Sequence, residues 1–291
     1  MADTKRLDRP IVILGAARSG TTILSRVLGQ HRDVAHLIEP RMTWRYGNDR
    51  KSDMLSPEDA TPRIIAHIRQ RFGDYVEKSG KPRLVEKTPS NSIRPAFVGR
   101  VLPEARYIHI IRNGYDACLA TEDFWDKHTT GVRNVAKGRL MQRIKELGPL
   151  RVPYYLPEFA RRIAPGPMKR LLGPNQWGPR LPGMSAMLRD IGPLAVSCLQ
   201  WRTCVELSCH FGRGLPVDRY FEMKLEDMSA GLIHKLLAFC ELDRDEQVDT
   251  FIDETFQIDR VSARRSKASQ EKIEQARLWI EPTIEWLGYN A

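Results

Sequence analysis

The sequence predicts an α/β fold: a three-layer parallel sheet with a P-loop-like turn after its first strand, plus a mostly helical basic insertion. Three observations carry that expectation. Short apolar runs rich in branched residues alternate with amphipathic stretches of helical length. The first run, Pro10 to Leu14, breaks into Gly15-Ala-Ala-Arg18-Ser19-Gly20-Thr21-Thr22, a strand feeding a phosphate-cradling loop. Between Lys127 and Arg180, twelve Lys/Arg face only Glu146 and Glu158, and eight prolines fall between Pro149 and Pro182. Such a segment is unsuited to sheet core and reads as short helices and turns.

The elements follow in order. Strand character covers about residues 10–15, and a helix runs from Thr21 to Gln30 with Ile23, Leu24, Val27 and Leu28 on one face. Over 61–77, Ile64, Ile65, Ile68, Phe72 and Val76 recur at helical spacing. A short strand begins at Leu84-Val85, a helix spans Pro95 to Leu102, and Arg106 to Ile111 is a buried strand. Asn113-Gly114 turns into a helix over about 115–125. Beyond the insertion come a long helix (Pro193 to Phe211), a strand (Tyr220 to Lys224), a helix (Ala230 to Cys240) and a last helix (Ser269 to Leu287). A parallel sheet of this kind gathers ligands at the carboxyl ends of its strands.

At 291 residues, 42% apolar and 28% charged, the chain suits one large α/β domain, with residues 124–194 inserted as an acceptor-binding or lid segment. Its five cysteines form no C-x-x-C pair, which fits buried thiols in a reducing compartment better than disulfides or a zinc site. The N-terminal apolar run is too short for a signal-peptide core or a membrane span, so the expected location is cytoplasmic. Net charge is +10, and the Lys127–Arg180 block accounts for all of it. That block reads as a surface for an anionic acceptor or for the inner face of an anionic membrane, or as a solvated basic face.

The loop departs from the triphosphate pattern G-x-x-x-x-G-K-[ST]: the lysine position is Thr21, and the cation, Arg18, sits inside the loop. Its glycines and N–H groups can still wrap one oxyanion at the helix start. Arg18-Ser19-Gly20-Thr21-Thr22 resembles the 5′-phosphosulfate loop, [KR]-[SGA]-G-T-[TR], of sulfotransferases that use 3′-phosphoadenosine 5′-phosphosulfate (PAPS). The resemblance implies a metal-free transfer of a sulfuryl group from PAPS to a hydroxyl.

It extends to further motifs. His31-Arg32-Asp33-Val34…Glu39-Pro40 resembles the H-P-D-V…E-P segment of heparan-modifying glucosaminyl sulfotransferases and the H-P-D-V…E-E segment of tyrosylprotein sulfotransferases. It departs at Arg32, where proline is usual, and by one residue of spacing against the heparan group. The resemblance implies that Glu39 deprotonates the acceptor; His36, with an ordinary pKa near 6.5, is the rival base. Glu86-Lys87-Thr88-Pro89 resembles the E-K-[ST]-P of heparan-type enzymes, with Lys87 meeting charge on the departing phosphate. Cytosolic small-molecule enzymes have K-T-H there, with the histidine as base; its lack returns the base to Glu39. Arg112, closing a buried strand before a helix, suits the 3′-phosphate. The family's R-[DN]-x-x-[DR]-x-x-x-S becomes Arg112-Asn113-Gly114-Tyr115-Asp116…Ala120, so the expected serine is missing, and Thr121 sits about 100° further round the helix. Arg264, Arg265 and Lys267 resemble the basic loop that closes over the nucleotide. Arg219 to Met228 resembles the family's R-Y-E-D-L strand, and the ending Leu287-Gly288-Tyr289 resembles its L-G-Y terminus. The glutamate base and the Glu86–Ser90 stretch tilt the acceptor toward a carbohydrate or glycolipid, an anionic one being among the options. Two other readings stand beside this one: an ATP-dependent P-loop kinase, and a non-catalytic polyanion binder using residues 127–180. No nucleic-acid module is recognisable.

Overall fold

The computed structural model describes residues 7–129, 155, 177–255 and 268–289. Five parallel strands form one sheet in the order β2-β3-β1-β4-β5: β1 Ile11–Leu14, β2 Val34–Ile38, β3 Arg83–Lys87, β4 Arg106–Ile111 and β5 Tyr220–Lys224. The register places Ile13 and Ile38 opposite Lys87, and Ile111 opposite Lys224. The carboxyl ends of neighbouring strands therefore lie side by side.

Helices cover both faces, and strand alternation decides which residues meet them. Ile11 and Ile13 of β1, Val85 of β3 and Ile108 of β4 pack against Leu24, Val27 and Leu28 of α1 (Thr21–Gln30). The same face carries α8 (Ala230–Phe239) and α9 (Glu246–Thr255) through Ile233, Leu237, Val248 and Ile252. Val12, Leu14, Leu84 and Tyr107 point the other way, against α3 (Pro62–Ser79) and α4 (Pro95–Val101). Trp44, closing the one-turn α2 (Arg41–Trp44), is fully buried there with its ring 5.2 Å from that of Phe72. A further cluster joins α5 (Gly114–Thr129), α7 (Gly192–Gly212) and α10 (Gln270–Trp286) through Cys118, Trp201, Val205, Ile280 and Ile284.

Several elements exceed the sequence reading. The return segment before Glu39 is a strand, β2, at the sheet edge; its apolar and polar residues do not alternate cleanly, so periodicity alone left it unassigned. Within the segment 124–194, α5 continues to Thr129 and α6 (Met184–Asp190) forms; residues 130–154 and 156–176 lie outside the described part. Helix α9 was not expected. Among the described residues no helix is long and apolar enough to cross a membrane.

Candidate active site

The turn from β1 into α1 is shaped by two glycines. Gly15 has φ +155°, and a Cβ there would lie 2.6 Å from the carbonyl oxygen of Ile110. Its N–H donates to Ser92 Oγ (2.7 Å), and that hydroxyl donates back to Gly15 O (3.1 Å), fixing the loop's entry. Gly20, at φ +86°, is the N-cap of α1 and brings no side chain to its first-turn N–H groups, which leaves them suited to an anion. Arg18 takes the left-handed conformation at φ 65°, which is uncommon for a side chain of its size, and is exposed beside the cap. Ser19 is fully buried, and its hydroxyl makes no hydrogen bond among the described residues. Buried polar atoms are rarely left so, and a phosphate oxygen is a fitting partner. Thr21 is buried and Thr22 exposed.

Lys87 ends β3 on the α1 face of the sheet, since Val85 two residues earlier packs on α1. Its side chain is 2% exposed, and Nζ donates to Glu39 Oε1 (2.7 Å) and Thr22 Oγ1 (3.2 Å). Glu39 follows β2 directly; its N–H donates to Lys87 O (2.9 Å), and its backbone is also left-handed, at φ 50°. Arg18 and Glu39 are two of only four non-glycine residues with positive φ among those described, and backbone strain of this kind concentrates where function requires it. The carboxylate is one-third exposed, open enough to meet a ligand from solvent.

His36 lies on the same face of β2 but deeper. A Cβ on Gly29 of α1 would lie 2.5 Å from its Nδ1, so the ring is packed against that helix. Burial, reinforced by Lys87 and Arg26, lowers its pKa to about 4. A packed imidazole that weakly basic is a poor proton acceptor at neutral pH.

Arg112 follows β4, and its Nη1 donates to Arg18 O (3.0 Å), tying it to the loop; its own carbonyl accepts from Trp201 Nε1 (3.1 Å). Next to it, Glu226 accepts from Asn113 N–H (2.9 Å) and from the hydroxyl of Tyr289 (3.0 Å), so the Leu287-Gly288-Tyr289 ending braces this corner. Thr121 is buried and its hydroxyl donates to Ala117 O (2.8 Å), back into its own helix. Arg264, Arg265 and Lys267 lie outside the described residues. Arg18, Glu39, Lys87, Thr22 and Arg112 thus converge at the strand ends.

Glu86 is the participant the sequence reading missed. It points to the opposite face from Lys87, fully buried, and accepts from Trp44 Nε1 (2.9 Å), Asn91 Nδ2 (2.9 Å) and the Thr88 hydroxyl. These donors follow Glu39 and Lys87 in the chain, so one carboxylate stitches the two segments together. Burial pushes its pKa up to about 7 against the opposing pull of those donors and Arg94. Elsewhere, His109, Cys209 and Glu222 bring potential metal-ligand atoms within 4.8 Å of one another. The Glu222 carboxylate there is already bonded by Arg213 (2.7 and 3.1 Å) and Tyr220 (2.8 Å), which leaves little negative charge for a cation.

Known proteins resemble this chain in sequence and in fold. Residues 10–145 match the model of a sulfotransferase family. A protein of Aquifex aeolicus is 30% identical over 138 residues, 42% of this chain and 18% of that protein. Nodulation protein NoeE of Sinorhizobium fredii is 27% identical over 139 residues, 42% of this chain and 33% of that one. The matches thus span a third or less of these relatives' own lengths. The sulfotransferase domain of the Synechococcus PCC 7002 olefin synthase has the same fold, with a TM-score of 0.53 at 18% identity over 99% of this chain and 98% of that domain.

Proposed function

We propose that this chain, whose residues 10–145 match a sulfotransferase family model, transfers a sulfuryl group from PAPS to an acceptor hydroxyl with Glu39 as base. The observation that carries the reading is the contact of Lys87 with both Glu39 and Thr22 at the mouth of the loop. It supports a carboxylate, a cation and the loop acting together as one hydrogen-bonded group. PAPS would supply the activated sulfuryl group. Arg18, the Ser19 hydroxyl and the first-turn N–H groups of α1 suit its 5′ end, and Arg112 beside Arg18 suits the 3′-phosphate. The orphaned Ser19 hydroxyl fits such a ligand.

Glu39 Oε1 takes the proton as the acceptor oxygen attacks. Lys87 Nζ, already preorganised and desolvated, counters the charge that develops on the leaving phosphate side. Thr21, buried where an ATP-binding loop carries lysine, supplies no cation at that position for a γ-phosphate. The acceptor is read as a carbohydrate or glycolipid, met in part by the basic segment 124–194, at the inner face of an anionic membrane or in the cytoplasm. Arg264, Arg265 and Lys267 are proposed to close over the nucleotide.

Calorimetry with 3′-phosphoadenosine 5′-phosphate (PAP) and with ATP plus Mg²⁺ tests the donor. Tight PAP binding with no ATP binding is expected. Preference for ATP would replace this reading with a kinase, and binding of neither would leave a non-catalytic protein.

A further inference from the structure

The corner that holds Arg112 is assembled from four separate parts of the chain. Arg112 follows Ile111 at the end of β4, and Ile111 is the register partner of Lys224 on β5. The peptide between Arg112 and Asn113 is held at both ends. Its carbonyl accepts from Trp201 Nε1 of α7 (3.1 Å), and its N–H donates to Glu226 Oε1 (2.9 Å) from the short turn Leu225–Asp227 that follows β5. The other oxygen of Glu226 accepts from the hydroxyl of Tyr289 (3.0 Å), and Lys224 Nζ lies 4.3 Å from the centre of the Tyr289 ring. Burial, then the Glu226 carboxylate, pushes the pKa of the Tyr289 hydroxyl well above its ordinary value against the weaker pull of Arg112, so the hydroxyl remains a donor to Glu226 at neutral pH.

This arrangement takes up amide groups that a phosphate would otherwise meet at the start of α5. The Asn113 N–H goes to Glu226, and the Tyr115 N–H donates to Asn113 Oδ1 (3.0 Å). Ala120 brings no hydroxyl, and Thr121 turns its own back to Ala117 O (2.8 Å). Recognition of a phosphate at this corner therefore leans on the Arg112 guanidinium. Its Nη1 already donates to Arg18 O (3.0 Å), and its direction follows from the peptide plane next to it. Guanidinium–phosphate contacts are strong when the donors are aligned, and a small rotation of the supporting backbone misdirects them.

We propose that Glu226, oriented by Tyr289, is a positioning residue for the nucleotide's 3′-phosphate. By holding the Arg112–Asn113 peptide it aims the Arg112 guanidinium, so the hydroxyl of Tyr289 sets how strongly the chain tells a 3′-phosphorylated nucleotide from one without that group. The inference rests on the sulfotransferase reading and deepens its donor site. Glu226 and Tyr289 act through Arg112 and touch neither the sulfuryl group nor the acceptor.

The test uses the full chain and two nucleotides that differ only in the 3′-phosphate, PAP and adenosine 5′-monophosphate (AMP), each titrated by calorimetry. The wild type should prefer PAP about tenfold or more, as one charge-assisted contact implies. Glu226→Ala releases the peptide and should remove most of that preference, weakening PAP and leaving AMP affinity unchanged. Tyr289→Phe keeps the ring and loses only the hydroxyl; it should lower the preference about threefold, the worth of one hydrogen bond. Glu226→Gln should retain it, because the amide oxygen can accept from Asn113 N–H while the –NH₂ donates to the Tyr289 hydroxyl. If Glu226→Ala does not fold, Tyr289→Phe and Glu226→Gln still decide the question through the same ratio. A PAP-to-AMP ratio unchanged in Tyr289→Phe and in any folded Glu226→Ala overturns the inference. So do parallel losses for both nucleotides, which would make the contact a structural brace, and a ratio that collapses in Glu226→Gln, which would make it a matter of charge. A wild type that binds no PAP, or binds PAP and AMP equally, would instead remove the underlying reading of the donor site.

Discussion

Replacing Glu86 with glutamine tests whether the buried carboxylate holds the segments following Glu39 and Lys87 together. Oε1 accepts from Trp44 Nε1 and the Thr88 hydroxyl, and Oε2 accepts from Asn91 Nδ2. In one amide orientation the new –NH₂ faces Asn91 Nδ2; in the other it faces Trp44 Nε1. Asn91 cannot turn its oxygen round without losing the bond from Arg94 Nε to its Oδ1. A donor left facing a donor in a buried site costs about 1–3 kcal/mol. At about 2–4 °C per kcal/mol, the melting temperature should drop by about 2–12 °C. Protonated Glu86 escapes the conflict, because its own hydroxyl can donate to Thr88 Oγ1. Burial raises its pKa from the ordinary 4.5 to about 7 in the folded protein. Between those values the folded protein holds a proton that the unfolded chain has lost. The contribution is therefore fully present below pH 4.5 and is lost as pH rises through 7, by about 3 kcal/mol at most. The wild type should exceed Glu86→Gln most clearly at pH 5, and the gap should close or reverse by pH 8. Thermal unfolding followed by circular dichroism at the two pH values reads this directly. A gap of the same size at both, or none at either, would refute the reasoning.

Arg18→Ala and Arg112→Ala should each weaken PAP binding about ten- to a hundredfold by calorimetry, while Glu39→Ala leaves it unchanged. Glu39→Gln should lower turnover, followed as PAP release with any acceptor that supports it, by about 10²-fold or more. His36→Ala should turn over close to the wild-type rate; the opposite pattern would move the base to His36. Gly20→Ala places a Cβ 2.6 Å from Leu225 Cδ1 at φ +86°, so chemical denaturation should show a loss of about 1–3 kcal/mol together with weaker PAP binding.

What the sequence made legible was local chemistry written in short spans. Arg18 to Thr22 and Glu86 to Ser90 each sit on one strand end, so the residue pattern alone predicts the loop and the lysine beside it. Branched runs such as Arg106–Ile111 have only one way to be buried, and they formed strands as expected. The edge strand Val34–Ile38 was harder to read: it takes part in the sheet on one side only, against β3, and three of its five residues stay at least partly exposed. Least legible were partnerships between distant residues. Nothing in sequence near Asp53, whose carboxylate is buried 3.4 Å from Arg180 Nε and within the pull of Arg94, announces either arginine, and nothing near Glu86 announces Trp44. These contacts depend on strand order, with β3 between β1 and β2, which brings the segments after Lys87 and after Glu39 together. The same strand order links the two buried carboxylates. Asn91, which donates to Glu86, accepts from Arg94, and Arg94 in turn helps to hold Asp53 ionised. A perturbation at Asp53 should therefore be felt at Glu86 through Arg94 and Asn91, at the point where the segments following Glu39 and Lys87 meet.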